Sequence, residues 1–305
     1  MNPIAYLNGE FVSPEQMMVP VTDTGFMMGV TIAEQLRTFQ GKPFRIADHL
    51  DRLMGGLRLI NLDLPIQEDQ LVEVIHTVAS HNGPLLDVHD DIGITVFVTP
   101  GPYRTYHPSG PFQPVLGVHS YALPFQFWNE KYTAGEKLSL SSVQQVSANS
   151  WPFALKCRSR MHYYLASLAA RSHSPCCTPL LLDEEGFISE TPVSNVVAYF
   201  EEHGFVTPPA DSTLNGISLR HLQDIAGRLQ IPFAGRPLSP ADLKTAHAVF
   251  VTSTPFCLLP VSQLDNHTYD LRNATPLLHK VLDLWSNDVG VDILQQANRF
   301  ASRVV

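Results

Sequence analysis

The sequence predicts an α+β fold divided between two domains, and three observations lead there. Strand-like segments come first, two helix-like segments follow, and strands return before mid-chain, an order that suits helices packed against a sheet. A chain of 305 residues with 44% hydrophobic content can bury one large core or two modest ones, and two is the better division at this length. The pattern then weakens through Leu123-Pro-Phe-Gln-Phe-Trp-Asn129, which reads as a connector. The expected division is a smaller domain over 1–120, a connector over 121–132 and a larger domain over 133–305.

Each element has its own signal. From Ile46, the apolar residues Leu50, Leu53, Leu57 and Ile60 recur at alternating steps of four and three, which marks one face of an amphipathic helix. Asp48, His49 and Arg52 lie off that stripe. Leu71, Val74, Ile75 and Val78 mark a second helix, and Ile92-Gly-Ile-Thr-Val-Phe-Val98 reads as a buried strand broken by Pro100-Gly-Pro102. Beyond the connector, Met161, Tyr164, Leu165 and Leu168 form a helical stripe that the loop from Ser172 to Pro179 ends. Strands over 180–182, 187–189, 195–200 and 248–252 then alternate with a helix from about Ile217 to Leu229.

Composition excludes several function classes. Twenty basic residues against 29 acidic ones give a net charge of -9, and no Lys/Arg cluster offers the electrostatic footprint of a nucleic-acid binder. The first ten residues lack a basic segment followed by an apolar core, and no apolar run is long enough to span a bilayer. A cytoplasmic protein with neither nucleic acid nor membrane as partner is expected. Cys176 and Cys177 are adjacent while Cys157 and Cys257 are isolated, which suits neither a disulfide framework nor a zinc spacing, so reduced thiols and no metal are expected.

Two residues carry the chemistry. Lys156 follows the apolar and aromatic run Trp151-Pro-Phe-Ala-Leu155, and an ordinary lysine is exposed. Drawn toward the interior, its ammonium would be disfavoured and its amine readied for covalent capture of an aldehyde. Glu190 ends the hairpin Leu182-Asp-Glu-Glu-Gly-Phe-Ile-Ser189, where alternation turns it to the face of Ile188. A buried carboxylate there can serve as a structural cap, or it can hold a pyridinium nitrogen protonated. Leu214-Asn-Gly-Ile-Ser-Leu-Arg220 offers backbone N–H groups at a helix start and the Ser218 hydroxyl, the ingredients of a phosphate site. Thr252-Ser-Thr254 adds donors and Arg52 a cation.

Together these segments resemble the class IV, or fold-type IV, pyridoxal 5'-phosphate (PLP) enzymes: D-amino-acid and branched-chain aminotransferases and aminodeoxychorismate lyase. The resemblance runs through Asn8-Gly9-Glu10, Asp23-Thr-Gly25, Gly29, Glu34, His49-x-x-Arg52, Lys156, Ile188-Ser-Glu190, Asn195, Gly216-Ile-Ser218 and Thr252-Ser-Thr254. It implies a small N-terminal α/β domain, a larger, barrel-like C-terminal α/β domain that binds the cofactor, and a homodimer. It implies Lys156 as the Schiff-base lysine and proton carrier, Glu190 as the partner of the ring nitrogen, and Arg52 as the phosphate anchor. Ile217, Ser218, Thr254 and Ser253 would complete the phosphate site.

Departures from the family pattern concern the substrate. Ala33 replaces an aromatic residue before Glu34, and Met161 stands where branched-chain enzymes place a tyrosine near the cofactor's phenolic oxygen, which leaves Tyr163 or Tyr164 as substitutes. Pro255 follows Thr254 in the turn whose amides receive the substrate carboxylate in branched-chain enzymes, and proline has no N–H to give. Pro100-Gly-Pro-Tyr-Arg104-Thr-Tyr-His107 resembles the loop where D-amino-acid aminotransferases place an arginine and a histidine. Arg104 and His107, with Arg37 and Glu34, are therefore the expected substrate residues. The expected activity is transfer of an amino group between an amino acid, with one of D configuration among the candidates, and a 2-oxo acid. A pyruvate-releasing lyase and a catalytically silent member of the family are the alternatives.

Overall fold

The computed structural model describes residues 2–173 and 177–303, and the chain divides into two compact units. One comprises the chain up to Leu123 together with Leu155–Ser159, the other Pro124–Ala154 and the chain from Arg160. Each unit combines a sheet with helices, in keeping with the α+β expectation.

The first unit contains β1 (Ala5–Leu7), β2 (Glu10–Val12), α1 (Thr24–Met27), β3 (Ile32–Phe39), β4 (Lys42–Pro43), α2 (Ile46–Leu59), α3 (Glu68–Asn82), β5 (Ile92–Thr99) and β6 (Val115–Ala122). Among the described residues its strands form one sheet in the order β2-β1-β6-β5-β3-β4, antiparallel throughout. Alternation sends Ile92, Ile94, Val96 and Val98 of β5 to one face with Ile32 and Leu36 of β3. There they meet Leu50, Leu53 and Leu57 of α2 and Leu71, Ile75 and Val78 of α3. Each of these leucines contributes roughly 2 kcal/mol through burial, which makes the helix–sheet seam the mainstay of the unit. Register pairs Glu34 with Val96, between the pairs Ile32–Val98 and Leu36–Ile94, and so commits Glu34 to the same helix-covered face.

The second unit contains α4 (Lys131–Ala134), β7 (Glu136–Leu140), α5 (Met161–His173), β8 (Thr178–Leu180), β9 (Asn195–Phe200), β10 (Gly204–Thr207), α6 (Ile217–Arg228), β11 (Phe233–Gly235), α7 (Pro240–Thr245), β12 (Ala248–Ser253), β13 (Cys257–Leu264), β14 (His267–Thr268), α8 (Leu271–Val289) and α9 (Ile293–Phe300). Its sheet runs β11-β10-β9-β12-β13-β7-β8, with β14 on β13. Parallel pairs at β10–β11, β13–β7 and β7–β8 sit beside antiparallel ones at β10–β9, β12–β9 and β12–β13. Helix α8 packs on β13 and β12, and α6 packs on β12 and α8. Val196, Val197 and Ala198 of β9 and Val249, Phe250 and Val251 of β12 are consecutive buried residues, as expected for central strands covered on both faces.

Several expectations need correction. The segment expected as a connector packs into the second unit: Phe125, Trp128 and Tyr132 are buried, Phe125 packs against Phe300, and the Tyr132 hydroxyl donates to the Phe256 carbonyl at 2.8 Å. Its aromatic content, and not its weak periodicity, decides its place. The strand expected over 180–182 is β8 at Thr178–Leu180, and the one over 187–189 reduces to the isolated bridges Leu182–Ile188 and Glu190–Asn195. The stripe on α5 faces outward, with Met161, Tyr164, Leu165 and Leu168 at 68%, 61%, 44% and 53% exposure, while Ala166 and Ala170 are buried. Of the loop from Ser172 to Pro179, residues 174–176, including Cys176, lie outside the described residues.

Candidate active site

In the first unit, Leu155–Ser159 runs beside the start of β3. Cys157 bridges Ile32, the Ala33 N–H donates to the Lys156 carbonyl at 2.9 Å, and the Arg158 N–H donates to the Thr31 carbonyl at 2.9 Å. Leu155 and Cys157, on either side of Lys156, pack on the hydrophobic core. Lys156 is half-buried and not interior as the sequence suggests. The pairing fixes its backbone from both sides.

The charge of Lys156 reaches a buried triad. Glu34 accepts Arg52 Nε on Oε1 at 2.6 Å and Arg52 Nη2 on Oε2 at 2.7 Å, and its Oε2 lies 2.8 Å from His49 Nδ1. Burial alone would raise the Glu34 pKa, but the Arg52 charge and the hydrogen bonds from Arg52 and His49 hold it well below the usual carboxylate range. His49 is pushed down from its ordinary value chiefly by burial, against the pull of Glu34, and the Arg52 and Lys156 charges push the same way. A neutral His49 therefore gives its Nδ1 proton to Glu34, and among the described residues its Nε2 has no hydrogen-bond partner. The sequence expects Glu34 beside the substrate; the structure instead directs it at Arg52 and His49, because the β3–β5 register commits it to the helix side. Arg52, the expected phosphate anchor, is held by this carboxylate.

Arg37 lies on the other face of β3. It is buried, its guanidinium sits 3.9 Å from the Phe39 ring centroid, and its Nε donates to the Thr38 carbonyl at 3.1 Å. Tyr121 shares that face, where Gly93 leaves room for it: a Cβ at Gly93 would lie 2.1 Å from the Tyr121 ring. Arg104 and His107 are exposed on the β5–β6 connection, with Arg104 4.5 Å from the Phe112 ring centroid. The connection is braced at its root by Asp23-Thr-Gly25. Asp23 accepts from Gly25 N at 2.6 Å and from Thr99 Oγ1 at 2.8 Å, the Thr24 hydroxyl donates to the Gly101 carbonyl at 2.8 Å, and Tyr103 N donates to the Thr22 carbonyl at 2.9 Å. Arg37 and Arg104 thus occupy separate places, one on the sheet and one on a loop.

In the second unit, the hairpin expected before Glu190 closes on Asp183, whose Oδ1 accepts from Glu185 N and Phe187 N, with Gly186 at φ +86°. Glu190 is buried, as are Ile188 and Ser189, and Ser189 satisfies itself on the Ser212 carbonyl at 2.9 Å. The Glu190 Oε1 accepts the Tyr163 hydroxyl at 2.7 Å and Gln145 Nε2 at 2.9 Å. Tyr163 thus turns to Glu190, whereas the sequence reserves it, or Tyr164, for a cofactor oxygen; Tyr164 is exposed. Gln145 carries no signal in the sequence, since it lies in a loop without periodicity. His49 stands inside a recognised motif but with no role attached.

Asn195 links Glu190 to the start of α6. It bridges Glu190 along the backbone, its side-chain amide donates to the Leu214 carbonyl at 2.8 Å, and a Cβ at Gly216 would lie 2.0 Å from its Oδ1. Only glycine allows this approach. Gly216 caps α6 without a side-chain hydrogen bond, so Ile217 and Ser218 open the helix with N–H groups directed at its start. Ser218 is buried, and among the described residues its hydroxyl has no hydrogen-bond partner. The Ser253 hydroxyl donates to the Val193 carbonyl at 2.7 Å. Past Thr254 and Pro255 the chain turns through Cys257 at φ +62°, held by the Thr252 hydroxyl on the Cys257 carbonyl at 2.6 Å.

These residues fit pyridoxal phosphate. A buried hydroxyl at a helix start that has no hydrogen-bond partner among the described residues suits a phosphate oxygen. The two neutral donors orient the Glu190 carboxylate, a group of the kind that can face a ring nitrogen.

Residues 31–264 match the family model described as amino-transferase class IV. A D-alanine aminotransferase of Staphylococcus epidermidis is 26% identical over 266 residues, covering 85% of this chain and 88% of that protein. Among solved structures, the branched-chain aminotransferase of Thermoproteus uzoniensis superposes with a TM-score of 0.82 at 21% identity, covering 98% of this chain and 97% of that one. The 4-amino-4-deoxychorismate lyase of Pseudomonas aeruginosa superposes with a TM-score of 0.78 at 23% identity over 93% of this chain and 98% of that one. With most of its length matched by the family model, this chain belongs to the class IV aminotransferases, a PLP-dependent family.

Proposed function

We propose that the protein is a homodimeric aminotransferase that moves an amino group between an amino acid of D configuration and a 2-oxo acid. The observation that carries the reading is the buried hydroxyl of Ser218 at the start of α6, without a hydrogen-bond partner among the described residues, in the same unit as the fixed carboxylate of Glu190. When bound, PLP supplies the electron sink that makes the bonds at the substrate Cα labile. Lys156 Nζ would hold the cofactor and carry the proton at Cα, Glu190 would keep the ring nitrogen protonated, and Arg52, Ile217, Ser218, Ser253 and Thr254 are the residues proposed for its phosphate.

The preference for a D-amino acid rests on two features. Pro255 removes a donor from the turn after Thr254, which weighs against carboxylate capture by turn amides. Arg104 stands exposed with His107 on a loop whose root is braced, so its guanidinium is available to grip a carboxylate. The homodimer is supported by large exposed apolar side chains, including Phe26, Met28 and Met18 in the first unit and Met161, Leu165 and Leu168 in the second. Free thiols at Cys157, Cys177 and Cys257 accord with a reducing compartment such as the cytoplasm, and no helix among the described residues is long and apolar enough to cross a membrane.

The test is a donor screen on the PLP-loaded protein with both enantiomers of alanine, glutamate and leucine, read as conversion of the cofactor to its pyridoxamine form. Conversion by D-alanine or D-glutamate is expected. A strong preference for L-leucine would overturn the stereochemical reading, and release of many equivalents of pyruvate per active site from 4-amino-4-deoxychorismate, without any 2-oxo acid acceptor, would replace transamination by a lyase activity.

A further inference from the structure

Glu190 is held by two neutral donors that the reaction itself does not explain. Tyr163 Oη donates to Glu190 Oε1 at 2.7 Å, and Gln145 Nε2 donates to the same oxygen at 2.9 Å and to Tyr163 Oη at 2.9 Å. The three groups close a triangle of hydrogen bonds. The Gln145 amide has one possible orientation, because Val146 N donates to its Oε1 at 2.9 Å, and a backbone N–H is met by the amide oxygen alone. Its NH2 end must therefore face Glu190.

Tyr163 cannot exchange its role as donor. Burial, then the charge of Glu190, pushes the phenol well above its ordinary range, so it keeps its proton throughout the working pH range. Its surroundings reinforce this. His162 packs against its ring at 3.9 Å between centroids and is pushed down to about 4 by burial and then by the Arg160 charge, so it is neutral near pH 7. Arg160 places its guanidinium 4.7 Å from the Tyr163 ring centroid and is itself tied to the Pro192 carbonyl. Arg160 is thus a charged neighbour of the phenol, as Glu190 is.

We propose that Tyr163 and Gln145 are positioning residues that set the rotation and the ionisation of Glu190, and through it the strength with which the protein holds a protonated pyridine nitrogen. The inference rests on the PLP reading above. Hydrogen bonds to the ionised form favour it, and because both donors are neutral they orient the carboxylate without cancelling its charge. A cationic donor in either place would offset that charge and weaken its hold on a protonated ring.

The experiment is a PLP titration of the full-length protein between pH 5 and 9, followed by cofactor absorbance and protein fluorescence, on the wild type, Tyr163→Phe and Gln145→Met. Each variant is expected to bind PLP about tenfold more weakly, the scale of one lost hydrogen bond to a charged group. The acid-side midpoint of the bound-cofactor spectrum should move to higher pH. Tyr269→Phe serves as control, since it removes a hydroxyl bond to the Leu243 carbonyl, 3.0 Å long, in the same unit; it should lower the melting temperature and leave both cofactor readouts unchanged. Because each variant keeps the other donor, folding of either one suffices for the test. PLP affinity within about twofold of wild type with an unmoved acid midpoint would overturn the proposal and leave the triangle as packing. A wild-type protein that binds no PLP would overturn the cofactor reading and this inference with it.

Discussion

Glu34 grips Arg52 through two hydrogen bonds, Nε to Oε1 at 2.6 Å and Nη2 to Oε2 at 2.7 Å, inside a seam where the Glu34 side chain is fully buried. This bidentate pair fixes the guanidinium as a plane and not merely as a charge. Replacing Glu34 with Gln removes the counter-charge and sets an NH2 group against a guanidinium NH2. Glu34→Gln is expected to destabilise the protein by about 3 kcal/mol, as for other broken buried pairs, and to weaken PLP binding. Denaturant unfolding of the cofactor-free protein checks the first effect and PLP titration the second; a variant as stable as wild type would make the pair ornamental.

Acid should loosen the same seam. His49 and Glu34 both bind a proton less readily in the folded protein than in the unfolded chain. Their contribution is therefore complete above the unfolded values, 6.5 for histidine and 4.5 for glutamate, and is lost as pH falls below each in turn. The melting temperature of the cofactor-free protein should decline from pH 7 to pH 4, beginning with His49. His49→Gln, which keeps a donor for Glu34 but does not titrate, should flatten the upper part of that decline. An unchanged slope would remove His49 from the explanation.

Ser218→Ala separates binding from folding. A buried hydroxyl without a partner costs about 1–3 kcal/mol of desolvation, so the cofactor-free variant should be as stable as wild type or slightly more so. Its PLP affinity should fall about tenfold, because the phosphate loses a donor. A variant that loses stability while keeping affinity would contradict the placement of phosphate at α6.

Gly216→Ala tests the approach of Asn195. The added Cβ would lie 2.0 Å from Asn195 Oδ1, so the side chain that supports Leu214 and stands next to Glu190 in the ladder must move. A loss of about 1–3 kcal/mol in stability is expected from overpacking, accompanied by weaker PLP binding. Wild-type behaviour in both would show that Asn195 relaxes freely.

How much of this was legible in the sequence depended on whether the signal was local. Helix α2, strand β5 and helix α6 announced themselves because each packs one apolar face, or both, against a single partner layer, and that packing writes a period into the chain. Lys156 stood out by its neighbours, but its pairing with β3 joins residues far apart in sequence through one bridge and leaves no period. Glu34 was legible as a motif residue and not in its role, since only the β3–β5 register turns it toward Arg52. The apolar stripe on α5 located a helix without revealing that the face stays exposed in the single chain. Gln145 was invisible, because its part in holding Glu190 arises from a loop folded against a hairpin.

The central claim is that Lys156 is the amine that captures the cofactor. Borohydride reduction of the PLP-treated protein, followed by peptide mass mapping, tests it directly: the phosphopyridoxyl label is expected on Lys156 and should vanish in Lys156→Ala. Label spread over other lysines, or none at all under conditions that saturate wild-type binding, would contradict it.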